Sequence, residues 1–251
     1  MIVWIASHPR SGNTLARTIL NRCFDVKSHS LYDQIESEGM APIAGHLAHG
    51  MELGAFVAMA SASDETFFIK THELPSGDSH PAIYIVRDGR AALSSRRRYV
   101  EEIGKRIYPI EYLAIGAHPF VAWGDHVVAW LERSAGKLLL LRYEELSPPS
   151  AALLGGIAEF IGRPIVRDFD VTFAELRALN PTFFQVGHNE RGINEIARMC
   201  PAIFWSGNGA VMNRLGYGLP PPELELIPTA ALAEIRRAML RTRRMAIKQR
   251  P

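Results

Sequence analysis

Three short segments of this chain carry residues suited to handling negative charge and protons. The first is His8-Pro9-Arg10-Ser11-Gly12-Asn13-Thr14, which follows the apolar run Ile2-Val3-Trp4-Ile5-Ala6 and precedes a stretch of helical composition. A strand, a loop and a helix in that order gather free backbone N–H groups and the positive end of a helix dipole at one point. Gly12 lets the backbone close on an oxyanion. Ser11, Asn13 and Thr14 add side-chain donors, and Arg10 supplies a permanent positive charge with planar donors. The chemistry implied is binding of a phosphate or a phosphosulfate; the competing reading is a polar turn without a ligand. The loop is not the Gly-x4-Gly-Lys-Ser/Thr phosphate loop, since it holds one Gly and no Lys.

The second segment, Lys70-Thr71-His72, follows the apolar residues 67–69. A His at a strand end beside a phosphate loop can take the proton of an attacking hydroxyl, because its ordinary pKa lies near neutrality. Taken alone, a loop His is more often a surface residue. The third segment is Tyr84-Ile85-Val86-Arg87-Asp88-Gly89-Arg90-Ala91-Ala92-Leu93-Ser94-Ser95. Here a buried run ends in Arg87, and Ser95 stands eight positions on, inside the next helix. An Arg and a Ser so placed can converge on one phosphate, with Ser94 as the neighbouring alternative. A structural salt bridge is the other reading of Arg87. Arg96-Arg97-Arg98 reads as a solvated helix face. Further on, Arg142-Tyr143-Glu144-Glu145-Leu146 places an aromatic face and a hydroxyl just after an apolar run.

The elements that must position these groups alternate along the chain. Residues 2–6, 67–69, 82–86 and 138–141 read as short, continuously apolar strands. Residues 14–23, 90–100, 120–133 and 150–161 read as helices, the last stopped by Gly162 and Pro164. Such alternation predicts an α/β fold with a parallel sheet covered by helices on both faces, in one domain over 1–251. Residues 229–250 read as an Arg-rich amphipathic helix, either solvated or lining a site. The formal net charge is +2, from 28 Lys and Arg against 26 Asp and Glu, which argues against a nucleic-acid partner. Cys23 and Cys200 have neither disulfide nor zinc spacing. No secretory leader or membrane span is read, so a cytoplasmic location is expected.

Trp4-Ile5-Ala6-Ser7-His8-Pro9-Arg10-Ser11-Gly12-Asn13-Thr14 resembles the 5′-phosphosulfate loop of the sulfotransferases that use 3′-phosphoadenosine-5′-phosphosulfate (PAPS). Arg10 stands for the usual Lys and Asn13 for the first Thr of their Pro-Lys-Ser-Gly-Thr-Thr. The wording is especially similar to bacterial members that decorate natural products such as glycopeptides. Lys70-Thr71-His72 resembles the family's Lys-Thr-His, which implies His72 as general base, with Lys70 and Arg10 neutralising charge on the transferred group and the leaving phosphate. Arg87 and Ser95 match the family's 3′-phosphate site, and Tyr143 its adenine-side tyrosine. The resemblance implies a P-loop-like three-layer fold with a central parallel sheet. It implies in-line sulfuryl transfer from PAPS, leaving the bisphosphate PAP, with no metal. The acceptor would be a hydroxyl or amine of a small molecule or glycoconjugate, lined by residues 28–63 and 103–118. The family's closing Arg-Lys-Gly is reduced to Gln185-Val186-Gly187; Gly187 keeps the cofactor-site glycine, and Arg191 is the candidate substitute for the lost cations. Leu15 stands where many relatives have an adenine-stacking Trp. A nucleotide-dependent small-molecule kinase and a non-catalytic nucleotide binder are the alternative readings.

Overall fold

The computed structural model describes residues 1–32, 41–104, 108–117, 120–133, 136–181, 184 and 189–248. In chain order its elements are β1 (Ile2–Ser7), α1 (Asn13–Phe24), β2 (His29–Ser30), α2 (Leu53–Ala62), β3 (Phe67–Thr71), β4 (Ala82–Val86) and α3 (Gly89–Glu102). There follow α4 (Ile110–Ala114), α5 (Trp123–Arg133), β5 (Leu138–Arg142), α6 (Ala151–Ile161), α7 (Phe173–Leu179), α8 (Glu190–Met199), α9 (Pro201–Arg214) and α10 (Thr229–Lys248). The residues group into two compact units, each drawn from two separate stretches of chain: 1–87 with 130–187, and 88–129 with 188–251.

The first unit is built on a five-stranded, wholly parallel sheet in the order β2-β3-β1-β4-β5. Every residue of β1 and β4 is buried. That is why both read as continuous apolar runs rather than alternating ones: a parallel strand covered on both faces has no solvent side. One face presents Val3, Ile5, Phe68, Ile83, Ile85 and Leu141 to α1, α6 and α7 through Leu15, Ile19, Leu154, Ile157 and Leu176. The other face presents Phe67, against which Phe56 of α2 packs edge-on at 6.1 Å, and Tyr84, on which Trp130 stacks at 5.9 Å. The fold class is therefore the expected one, a central parallel sheet flanked by helices. The structure adds β2 and α2, and carries β3 on to Thr71. Two residues of strand are too short to give a periodic signal, and α2 lacks charge alternation, its sequence being LGAFVAMASA.

In the second unit α3 starts at Asp88, whose carboxylate caps the helix by accepting from Arg90 N at 2.9 Å. Gly192 brings α8 hard against α3: a Cβ there would lie 2.5 Å from Ala91 Cα. The arginine run is not the solvated face expected from sequence. Arg97 and Arg98 both pair with Glu195 of α8, and the Arg96 guanidinium sits 4.5 Å from the Phe120 ring centroid. The acid that draws them inward lies almost a hundred residues downstream, beyond any helix-period reading. Asn208 of α9 ties α4 and α5 by donating to Ala114 O and accepting from Gly124 N. Among the described residues no helix is long and apolar enough to cross a membrane.

Candidate active site

β1 delivers the chain to the loop of residues 8–12 at the centre of the sheet. Two residues there adopt left-handed backbone, Arg10 at φ 69° and Gly12 at φ 101°. Gly12 is required twice over. Its φ favours glycine, and a Cβ would lie 2.5 Å from Cδ2 of Tyr143. α1 then begins at Asn13 with no side-chain cap. Its first N–H groups have no carbonyl of their own helix to donate to, which is the condition for anion binding. Asn13 does a structural job with its side chain: Nδ2 donates to Ile5 O (2.8 Å) and to Ser7 Oγ (3.3 Å), tying the helix start to β1. Ser11 is 1% exposed, and its Oγ has no hydrogen-bond partner among the described residues. A buried hydroxyl in that state fits a ligand oxyanion, since leaving it unmatched costs about 1–3 kcal/mol. Thr14 is buried beside it. The loop therefore fits the phosphosulfate end of PAPS.

The candidate proton acceptor, His72, follows the neighbouring strand. β3 pairs with β1 so that Lys70 lies opposite Ile5 and Thr71 opposite Ala6. The next residue, His72, thus emerges beside Ser7. Its Nδ1 lies 2.8 Å from Ser7 O. A carbonyl only accepts, so Nδ1 carries the proton and the neutral ring keeps its lone pair on Nε2. This is the tautomer a general base needs. Lys70 leaves β3 on the face occupied by α1, and its Nζ lies 6.0 Å from the ring centroid of Tyr32. Tyr32 itself stacks on His72 and touches Glu73.

Arg87, Tyr143 and the loop are brought together. The Arg87 guanidinium lies 4.1 Å from the Tyr143 ring centroid, and its Nη1 donates to Arg10 O at 3.3 Å. Tyr143 opens the 3-10 turn after β5, so β1, β4 and β5 each contribute one component at their C-terminal ends. This is where an open parallel sheet places its ligands. Ser95 is buried on α3 of the second unit. Its neighbour Ser94 is bound to Glu195 and Arg98. Arg191 lies exposed in the first turn of α8 rather than in a loop. Gly187, with Gln185 and Val186, falls outside the described residues. No cluster of His, Cys, Asp and Glu able to hold a metal occurs among the described residues.

On the α2 face of the sheet lies a cavity of ≈ 440 Å³, lined among others by Trp4, Leu31, Leu53, Val57, Thr71 and Trp130. Its polar wall groups have partners: Asp78 accepts from Trp4 Nε1 at 3.1 Å, and Ser61 Oγ meets His80 Nε2 at 2.8 Å. What remains for an occupant is apolar surface. Tyr32 and Glu73 carry no motif in the sequence that would have singled them out. They become visible only when β2 and β3 lie side by side.

A family model described as the sulfotransferase domain matches residues 2–183. Among solved structures the chain is similar to mouse sulfotransferase SULT7A1 complexed with PAP. The two are 19% identical over 86% of this chain and 88% of that one, with a TM-score of 0.58. A second similarity is to retinol dehydratase in a complex with retinol and PAP, 16% identical over 96% of this chain and 80% of that one, with a TM-score of 0.40. No curated protein matches the chain.

Proposed function

The chain belongs to the sulfotransferase domain family, and from that premise we propose that it transfers a sulfuryl group from PAPS to a hydroxyl or amine of a small-molecule acceptor, with His72 as general base. The observation that carries the reading is the hydrogen bond from His72 Nδ1 to Ser7 O. It couples the proton acceptor to the strand that delivers the oxyanion-binding loop, and it selects the basic tautomer. PAPS, when bound, supplies the sulfuryl group and a phosphate leaving group. Arg10, Ser11, Gly12, Asn13 and Thr14 would hold its 5′ end; the N–H groups and the Arg10 charge stabilise negative charge that grows there. Lys70 offsets charge on the sulfuryl oxygens. His72 Nε2 takes the acceptor's proton. By resemblance to the family, Arg87 and Ser95 are assigned to the 3′-phosphate, Tyr143 to the adenine, and Gly187 and Arg191 to the remaining cofactor contacts. The chain works as a single domain over 1–251, since each unit is interrupted in sequence by the other. A cytoplasmic location and a bacterial source remain part of this reading.

The test has two arms. Calorimetry should find tight binding of PAP and none of magnesium ATP; the reverse would favour a kinase. Incubation with sulfur-labelled PAPS and an acceptor library should label at least one acceptor. PAP binding with no transfer across the library would point to a non-catalytic nucleotide binder.

A further inference from the structure

His72 Nδ1 lies 2.8 Å from Ser7 O and 3.3 Å from Ser7 Oγ, contacts that hold one edge of the imidazole. Tyr32, just beyond β2, supplies three more contacts. Its ring stacks on the imidazole, with centroids 5.5 Å apart and planes at 21°. Its hydroxyl lies 3.1 Å from the His72 backbone N and 2.7 Å from Glu73 Oε1. A backbone N–H only donates, so the hydroxyl accepts there and sends its own proton to Glu73. Burial, aided by Glu73, pushes the Tyr32 phenol well above its ordinary pKa, so that proton stays in place across any working pH. Glu73 is itself fixed from behind: its backbone N donates to Thr71 Oγ1 at 3.0 Å, and its carbonyl accepts from Trp130 Nε1 at 3.0 Å. One side chain thus faces the base's ring, clamps its backbone and binds the residue after it.

We propose that Tyr32 is the positioning residue of the general base: its ring forms a wall against the imidazole and its hydroxyl pins the backbone from His72 to Glu73, so that Nδ1 stays on Ser7 O and Nε2 keeps the lone pair. The proposal rests on the assignment of His72 as base, but it makes a statement about the ring that can be read without turnover. In this role Tyr32 holds the imidazole and its backbone. It acts through His72 alone.

The test is nitrogen-15 NMR of the full chain, with the His72 imidazole signal assigned from its disappearance in His72→Gln. In the wild type the Nδ1–H tautomer should dominate by roughly tenfold or more, since the partner of one ring nitrogen sets the proton on the other. Tyr32→Ala should bring the two tautomers to comparable populations. Tyr32→Phe keeps the wall and loses the pin, and should fall between. PAP affinity, measured on the same samples, should stay within about twofold of wild type, because the loop from Arg10 to Thr14 is untouched. That result also establishes that the variants are folded. An unchanged His72 tautomer in Tyr32→Ala overturns the proposal. Wild-type transfer by His72→Ala would instead overturn the base assignment, while the tautomer result would still decide what Tyr32 does.

Discussion

His72 offers a lone pair at Nε2 only while Nδ1 keeps its proton on Ser7 O, so its replacement should damage chemistry and spare binding. His72→Ala should lower single-turnover transfer from labelled PAPS by roughly two to four orders of magnitude, the usual span for a lost general base. Nucleotide affinity should hold, and His72→Gln should fail to rescue, because an amide takes no proton. Wild-type rates in the alanine variant would remove His72 from the mechanism. Arg87 has a different signature. It stacks on Tyr143 and supports the loop at Arg10 O. Arg87→Ala should weaken PAP by about 1.5–3 kcal/mol, the range for a charge-assisted hydrogen bond, and AMP by clearly less. Equal losses for the two ligands would mean that Arg87 props the loop and reads no phosphate. Lysine at this position should recover little, since it lacks the planar group that stacks. The places of these two residues in the fold were legible in the sequence because each directly follows a strand, inside a recognisable motif. Tyr32 was not, because its partner in space lies 40 positions away, across a strand pairing of two residues.

At the scale of elements, the strands that carry the site were readable because they are buried on both faces and so lack alternation. β4 is the clearest case, since its observed bounds are those expected from its five apolar residues. The helices after β1, β4 and β5 followed from their turn residues and stop signals. α8 could not be placed in the same way. It starts where a loop was expected, and its packing depends on Gly192 meeting Ala91 on an element a hundred residues earlier. The junction between β1 and α1 makes a sharp prediction. Gly12→Ala would place a methyl group 2.5 Å from Tyr143 Cδ2 and a side chain at φ 101°. Backbone strain alone costs about 1–3 kcal/mol at such a position. PAP binding should fall at least tenfold and the melting temperature should drop. Combining Gly12→Ala with Tyr143→Ala should relieve the collision while leaving the backbone strain. Stability should therefore recover in part, which a thermal double-mutant cycle will show.

For the molecule as a whole, the two buried thiols weaken the fold in alkali. Burial is the main force pushing Cys23 from 9.0 up to about 11, with Asp170 and Asp168 adding to it, and burial pushes Cys200 up to about 12. A pKa raised by folding means that the native state holds a proton the unfolded chain has lost. That stabilisation is fully present below pH 9 and disappears as pH rises through the folded values. The melting temperature should therefore decline above about pH 9, and Cys23→Ala should flatten the decline between 9 and 11. At pH 8 neither thiol should react with a disulfide reagent until the protein is unfolded, since the thiolate is the reactive form. The interleaving of the two units has a consequence for synthesis. β4 is complete at Val86, but its outer neighbour β5 begins only at Leu138. At about 5–20 residues per second, the ribosome needs several seconds to make the chain between them. Throughout that time a five-residue, wholly apolar strand has one edge without its partner, the kind of edge that captures other chains. A nascent chain of this protein should accordingly be a strong client for chaperones over that interval and a weak one after β5 has emerged.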